Sequence, residues 1–429
     1  MKPGEYLEIQ TKEGDIFNGL VMPSSNKSTI CLKLNSGYNL NLDKKKISKM
    51  KNLEKEIKIE KETNAKQIIN PNLKTITILH TGGTLASKVS YATGAVTPSF
   101  KPEELLEMFP ELKEIANIKS RLIGNMFSED MRFSHYNLIA KEIEKEIKEG
   151  VDGVIITHGT DTLAFTSCAL SFALENLEKP VILVGAQRSS DRPSSDAAFN
   201  LICAANFIVK SNFNEVGICI HGKSGDDFCY ILPATKTRKM HTSRRDAFKS
   251  VNGEIIAKVD KVNMEFFMDY KKKEHKDKLK LKLFNEKIKI GILKAHPNMF
   301  AFEIKYYNKF DGLILEGTGL GHFPINFVDN TTKEHQLIYN ELKKLCKKIP
   351  VIATSQCIFG RINMNVYETG RKMQEAGILG NLSDMTAETA FIKLVWLLSN
   401  YKKNEINNLV MHNFRNELND KLKYEEEFI

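Results

Sequence analysis

A chain of 429 residues is too long for a single ordinary hydrophobic core, so two or three domains with room for a buried catalytic cleft are expected. The +9 formal charge, from 62 basic and 53 acidic residues, permits contact with nucleic acid without requiring it, because much of the excess lies in runs such as Lys44-Lys45-Lys46 and Lys271-Lys272-Lys273 that read equally as solvated faces. No apolar run approaches the roughly 20 residues that span a bilayer, and the opening residues lack an apolar signal region, so a soluble, cytoplasmic protein with no membrane attachment is expected.

Residues 1–52 carry short alternating segments at 6–10, 16–22 and 29–34 between Gly, Ser and Asn turns, the pattern of a small β-barrel or meander. Residues 53–72 turn Lys- and Glu-rich and lose apolar periodicity before Pro71, which reads as a linker with some helical character. Between 73 and 270, apolar runs at 75–79, 153–157, 181–185 and 216–220 alternate with amphipathic stretches, the βαβ signature of a parallel sheet. A charged linker at 271–287 is expected to separate two lobes. Alternation resumes at 289–293, 312–316 and 350–354 and ends on a helix at 387–399, so 288–429 reads as a second, smaller lobe. The expected fold class is α/β, with two lobes of parallel sheet carrying helices on both faces behind a small N-terminal β-barrel.

In open parallel sheets ligands bind at the carboxyl ends of strands, so the loops after the apolar runs hold the candidate chemistry. Thr81-Gly82-Gly83-Thr84 follows the run at 75–79. Its glycines let backbone N–H groups approach an anion or oxyanion, and its threonine can attack or donate, although a phosphate loop or a tight turn uses the same residues. His158-Gly159-Thr160-Asp161-Thr162 follows the next run, and its hydroxyls and carboxylate suit either catalysis or helix capping. The loop at 187–193 offers Arg188 and Asp191 as substrate contacts or as a structural pair. The basic stretch at 236–249, with Lys236, Lys239, His241, Arg244 and Arg245, reads as a surface loop or as the source of an amine base.

An amide hydrolase needs a hydroxyl nucleophile, a base to take its proton and N–H donors for the oxyanion, and these loops supply all three. There is no Ser-His-Asp order and no Gly-x-Ser-x-Gly elbow. The seven cysteines form no C-x-x-C pair, and Cys168, Cys203 and Cys219 sit in apolar stretches as reduced core thiols would, so no metal site is expected. A threonine-based route remains. Gly317–Gly321 is a partial nucleotide fingerprint that reads as a tight loop, and Trp396, with apolar neighbours at helical spacing, reads as core.

The passage at 75–87, together with 158–162, resembles the two signature motifs of the bacterial-type L-asparaginase/glutaminase family, and the likeness runs from about 73 to 400. The passages at 91–96, 185–197, 360–367 and 384–390, with the small N-terminal domain, are similar to the archaeal branch of that family, the D subunits of glutamyl-tRNA(Gln) amidotransferases. The resemblance implies a two-lobed catalytic body with its active site at a dimer contact. Residue by residue, it implies Thr84 as the first-loop nucleophile beside Gly83, with Tyr91 as a nearby phenol. Thr160 and Lys239 match a second hydroxyl and its amine, and Asp161 matches a carboxylate that joins them and helps hold the substrate's α-amino group. Ser128 and Glu129 occupy the substrate-binding turn, where free asparaginases more often carry Gln after Ser. Lys239 is placed by its spacing to 248–250, with Lys236 as the competing candidate, and which threonine attacks first stays open.

The same resemblance implies a glutaminase that supplies ammonia for converting mischarged Glu-tRNA(Gln) to Gln-tRNA(Gln). Its partner would be the E subunit of glutamyl-tRNA(Gln) amidotransferase, with a homodimer of this chain inside a heterotetramer. ATP, Mg²⁺ and tRNA(Gln) would act mainly on that partner, leaving no cofactor in this chain. Two other readings are a free L-asparaginase/glutaminase acting on small molecules and a non-catalytic RNA-binding scaffold.

Overall fold

The structure, a computed structural model, describes residues 5–23, 28–34, 39–53, 69–82, 87–89, 96–98, 109–188, 194–267, 270, 272–422 and 424. The N-terminal domain is an antiparallel sheet of β1 (Tyr6–Thr11), β2 (Ile16–Met22), β3 (Thr29–Leu34), β4 (Asn39–Asp43) and β5 (Ile47–Asn52) in the order β4-β3-β2-β1-β5. Alternation along these strands buries Leu7, Ile9, Val21, Ile30 and Leu32 together. β4 and β5 lie at opposite edges, yet only the 3₁₀ turn Lys44–Lys46 joins them. Five flat strands at about 4.8 Å spacing would hold those edges roughly 19 Å apart, more than a three-residue turn spans at about 2 Å per residue. The sheet therefore curls into a barrel-like shape. β4 alternates the half-buried Leu40 and Leu42 with exposed residues over only five positions, and β5 is exposed beyond Ile47; neither is in the sequence pattern.

The first lobe is built on an eight-stranded sheet in the order β18-β17-β14-β13-β12-β10-β6-β9. β6 (Thr75–Gly82), β10 (Gly153–Thr157), β12 (Val181–Val184) and β13 (Val216–His221) run parallel, as expected, and β9 (Asn117–Met126), absent from the sequence pattern, joins them in the same sense. β14 (Cys229–Pro233), β17 (Ala257–Val259) and β18 (Met264–Phe266) extend that parallel sheet as an antiparallel edge. The reason is connection length: residues 222–228 are too few for the dozen-residue crossover that a parallel return needs. One face of the sheet, with Leu79, Val154, Ile156, Leu183 and Ile218, packs under α1 (Phe133–Lys148) and α2 (Leu163–Ala173). The other, with Ile76, Ile78, Ile155, Ile182 and Val184, packs under α3 (Ala197–Lys210). Small ladders of β7 (Ser87–Val89) with β8 (Val96–Pro98) and of β15 (Thr237–Lys239) with β16 (Phe248–Ser250) complete the lobe.

Residues 272–287 are fastened to the first lobe at two points. β19 (Lys280–Leu281) pairs with β11 (Leu174–Glu175), and Asn137 bonds both the N–H and the carbonyl of the buried Phe284. The second lobe is a three-stranded parallel sheet of β20 (Ile290–Lys294), β21 (Gly312–Gly317) and β22 (Val351–Ser355). Leu313, Leu315, Val351 and Ala353 pack on the side of α4 (Lys333–Cys346), while Ile314 and Ile352 join the main core through α5 (Ala387–Asn400). Trp396 of α5 is fully buried, with its ring 5.1 Å from Phe172 of the first lobe. Beyond α5 the chain returns to the first lobe, where Arg415 Nε donates to the Ser171 carbonyl at 2.7 Å. The two lobes thus share one core. All seven cysteines are free, and Cys168, Cys203, Cys219 and Cys229 are buried. Among the described residues no helix is long and apolar enough to cross a membrane.

Candidate active site

β10 is buried along its whole length and delivers the turn 158–162 to the carboxyl end of the sheet. Two glycines let that turn close. A Cβ on Gly159 would stand 2.8 Å from Ser128 Cβ, and one on Gly185 would stand 2.8 Å from Thr160 Cγ2. Ser128 is thereby pressed against the turn, where its carbonyl accepts the Thr162 hydroxyl at 2.5 Å. Glu129, the next residue, is exposed. A cavity of about 380 Å³ opens alongside, lined by Met131, Phe133, Thr162, Phe165, Glu286 and Phe391 among others.

Lys239 reaches this turn from β15, held in register by pairing with Phe248. Its Nζ lies 2.9 Å from Thr160 Oγ1 and 2.8 Å from Asp161 Oδ1. The structure therefore brings Thr160, Asp161 and Lys239 together. The Lys239 side chain is 15% exposed and that of Asp161 65%. An ion pair this open contributes at most about 1 kcal/mol to stability, so its use is to orient the amine against the hydroxyl.

Lys236 goes elsewhere. Its Nζ sits 2.8 Å from Asp384 Oδ2 of the second lobe, both groups buried, and burial lowers the amine's pKa against the pull of Asp384. Arg238 pairs with Glu388, also in the second lobe, at 3.2 Å. Lys236 lies in the bend just before β15, whereas Arg238 and Lys239 are neighbours on that strand and take opposite faces. The two lysines go to different partners: Lys236, like Arg238, ties the lobes, and Lys239 meets Thr160. Asp384 had no assigned role in the sequence, since its importance lies in a partner 148 residues away.

Of the first loop, Thr81 donates to the Thr157 carbonyl at 2.9 Å, and Gly82 has φ +106 with Met126 backbone where a Cβ would be. Gly82 is thus required by a close approach of β6 to β9, a different reason from the anion cradle read in the sequence. Gly83, Thr84 and Tyr91 lie outside the described residues. In the third loop, buried Asp196 accepts the backbone N–H groups of Gln187 and Arg188, and Arg188 donates to Ser194, so their described contacts are structural. Asp191 lies outside the described residues. Arg245 ties this loop to the fourth, donating to Asp226 and to the Ser194 carbonyl. The loop at Gly317–Gly321 closes on itself through Thr318 and His322. Among the described residues no group of three or more His, Cys, Asp or Glu side chains could hold a metal.

Two buried histidines brace the turn without joining the cluster. His158 Nδ1 faces the Gly159 carbonyl at 2.7 Å and must carry the proton, leaving Nε2 to accept from Thr166 at 2.9 Å. Burial pushes its pKa down to about 4, and that of His80, bonded to Thr157 and Ser120, to about 3. Both stay neutral in the folded protein, whereas in the unfolded chain they titrate near 6.5. Stability is therefore full above pH 6.5 and falls as the pH drops, because the unfolded state gains its protons first. His158 alone is expected to cost about 3 kcal/mol by pH 4. Urea midpoints measured from pH 7 to 4.5 should decline, and a His158→Asn variant should decline less steeply. Equal slopes would remove His158 from the account.

The comparisons with known proteins match both lobes and the N-terminal domain. Residues 75–272 match the family described as Asparaginase, N-terminal, and residues 289–410 match the Glutaminase/Asparaginase C-terminal domain. Residues 1–53 match the GatD N-terminal domain. The chain is 42% identical to the D subunit of glutamyl-tRNA(Gln) amidotransferase from Methanococcus maripaludis, over 99% of this chain and 100% of that one. It is also 42% identical to the protein of the same name from Pyrococcus furiosus, over 97% and 94%. The thermostable L-asparaginase from Thermococcus kodakarensis superposes with a TM-score of 0.70 at 27% identity, covering 81% of this chain and 100% of its own. L-asparaginase I from Vibrio cholerae gives 0.70 at 29%, covering 81% and 99%. The chain belongs to the family of glutamyl-tRNA(Gln) amidotransferase D subunits, built on the asparaginase fold.

Proposed function

We propose that this chain is the glutamine-hydrolysing component of a cytoplasmic Glu-tRNA(Gln) amidotransferase, releasing the ammonia that a partner E subunit uses to convert Glu-tRNA(Gln) to Gln-tRNA(Gln). The observation that carries the amidase half is the contact of Lys239 Nζ with both Thr160 Oγ1 and Asp161 Oδ1 at the carboxyl end of a parallel sheet. The amidotransferase half is supported by likeness over the full length of relatives named as D subunits, including the N-terminal domain.

In this reading a threonine Oγ, of Thr84 or Thr160, attacks the side-chain amide carbon of glutamine, and its proton passes to the amine of Lys239, which Asp161 orients. Loop N–H groups stabilise the oxyanion. The C–N bond breaks, the nitrogen takes a proton and leaves as ammonia, and water then cleaves the glutamyl ester to give glutamate and free threonine. Gly83, Tyr91, Ser128 and Glu129 hold the substrate's α-amino and α-carboxylate groups. ATP, Mg²⁺ and most of the tRNA contact belong to the partner, and this chain pairs with its own copy within a heterotetramer.

The deciding measurement is ammonia release from glutamine and from asparagine by the purified chain, alone and with the E subunit and Glu-tRNA(Gln). The expected result is slow hydrolysis alone and at least a tenfold rise on adding both. Fast hydrolysis indifferent to either would assign a free asparaginase/glutaminase instead.

A further inference from the structure

We infer that the chain carries a second ligand site, for a small anion of the phosphate or carboxylate type, at the end of the first lobe opposite Thr160. A cavity of about 240 Å³ is lined there by Asn214, Glu215, Lys273, His275, Phe414 and Arg415, among others. Residues 214–216 lead into the start of β13, while 158–162 follow the end of β10. β10, β12 and β13 run parallel, so the cavity and the threonine cluster occupy opposite ends of one sheet. The inference is independent of the reaction proposed above.

The chemistry of the cavity is that of an anion receptor. The Arg415 guanidinium spends Nε on the Ser171 carbonyl and Nη1 on the Phe414 carbonyl, and both bonds fix its plane. Its Nη2 is buried and meets no acceptor among the described residues. His275 Nε2, on the same cavity, is likewise buried without a partner among them. The Arg415 nitrogen can only donate and so calls for an acceptor from outside the chain, since buried polar groups are nearly always satisfied, and His275 Nε2 donates to the same acceptor in its Nε2–H tautomer. A fixed guanidinium is the side chain best suited to meet an oxyanion. Lys273 adds a second cation, and Glu215, bonded to it at 2.6 Å, neutralises one charge. One positive charge remains before His275 is counted. Asn214 stiffens the wall by bonding the Lys273 backbone and the Tyr270 hydroxyl. The volume, about 240 Å³, falls below the roughly 300 Å³ at which drug-sized pockets begin, as suits a small anion.

The test is thermal and calorimetric titration of the full chain with inorganic phosphate and, separately, acetate, against chloride at equal ionic strength. The expected result is a saturable rise in melting temperature with one or both oxyanions and none with chloride, following ligand linkage. Phosphate alone would assign a tetrahedral oxyanion; both would assign carboxylate-type recognition. His275→Phe, which fills the cavity and leaves the Arg415 anchors in place, should weaken the apparent affinity at least tenfold, and Arg415→Lys should do the same. Lys239→Met, at the far end of the sheet, should leave it unchanged. No saturable shift beyond chloride, or full affinity in His275→Phe, overturns the site.

Discussion

Lys239→Met is expected to lower kcat for ammonia release from glutamine by about 10³-fold, the middle of the range for loss of a positioned proton-transfer group. Methionine keeps most of the stem that carries the amine and removes the contacts to Thr160 and Asp161. Because the Asp161 carboxylate is 65% exposed, losing the ion pair should cost no more than about 1 kcal/mol, and the melting temperature should barely move. kcat and kcat/KM should fall together, the sign of an interaction made in the transition state rather than in substrate binding. Lys236→Met should behave in the opposite way, with a clear loss of stability, because it strands Asp384 in the lobe interface. Wild-type turnover in Lys239→Met would remove the residue from the mechanism.

Glu417→Ala should be the most damaging single change to stability. Its carboxylate lies 2.6 Å from Lys393 Nζ, and both side chains are 0% exposed. The same carboxylate accepts the backbone N–H groups of Phe414 and Arg415. Burial pushes the Lys393 pKa down while Glu417 pulls it up, so removing the carboxylate leaves an ammonium held by the His412 carbonyl with no counter-ion beside it. Breaking a buried pair in this way costs about 3–5 kcal/mol, to be read as a fall in the urea midpoint at constant slope. The double variant Lys393→Met with Glu417→Gln should recover part of the loss, since the amide oxygen still accepts the two backbone N–H groups and no charge is stranded. A wild-type midpoint in the single variant would show that the pair is dispensable.

Much of this architecture can be read from the chain because its central strands are continuous apolar runs. Val154, Ile155 and Ile156 are all buried, with one or another facing each helical layer, and such a run announces itself without alternation. β9 is hidden by its edge position: beyond Ile118 it runs through Lys119, Ser120 and Arg121 to an exposed Leu122, with no apolar period. β15 to β18 are three residues each, too short to show a period. The site divides in the same way. Thr160 and Asp161 stand in a motif after a strand, where the position itself suggests chemistry, and Lys239 is found through family spacing. Lys236 lies in the bend before β15 and Lys239 on it, and the partner that holds Lys236, Asp384, is fixed by tertiary packing that no local pattern encodes.

The return of the chain's end to the first lobe also sets an order of events during synthesis. Asp384, the counter-ion of Lys236, is made 148 residues later, and Asn419, which bonds that same carboxylate, later still. At the roughly 5–20 residues per second of translation, the strand bearing Lys239 waits about 7–30 s for the residues that lock its other face. The side of this segment that faces the second lobe is therefore completed only once residues 384–419 have been made.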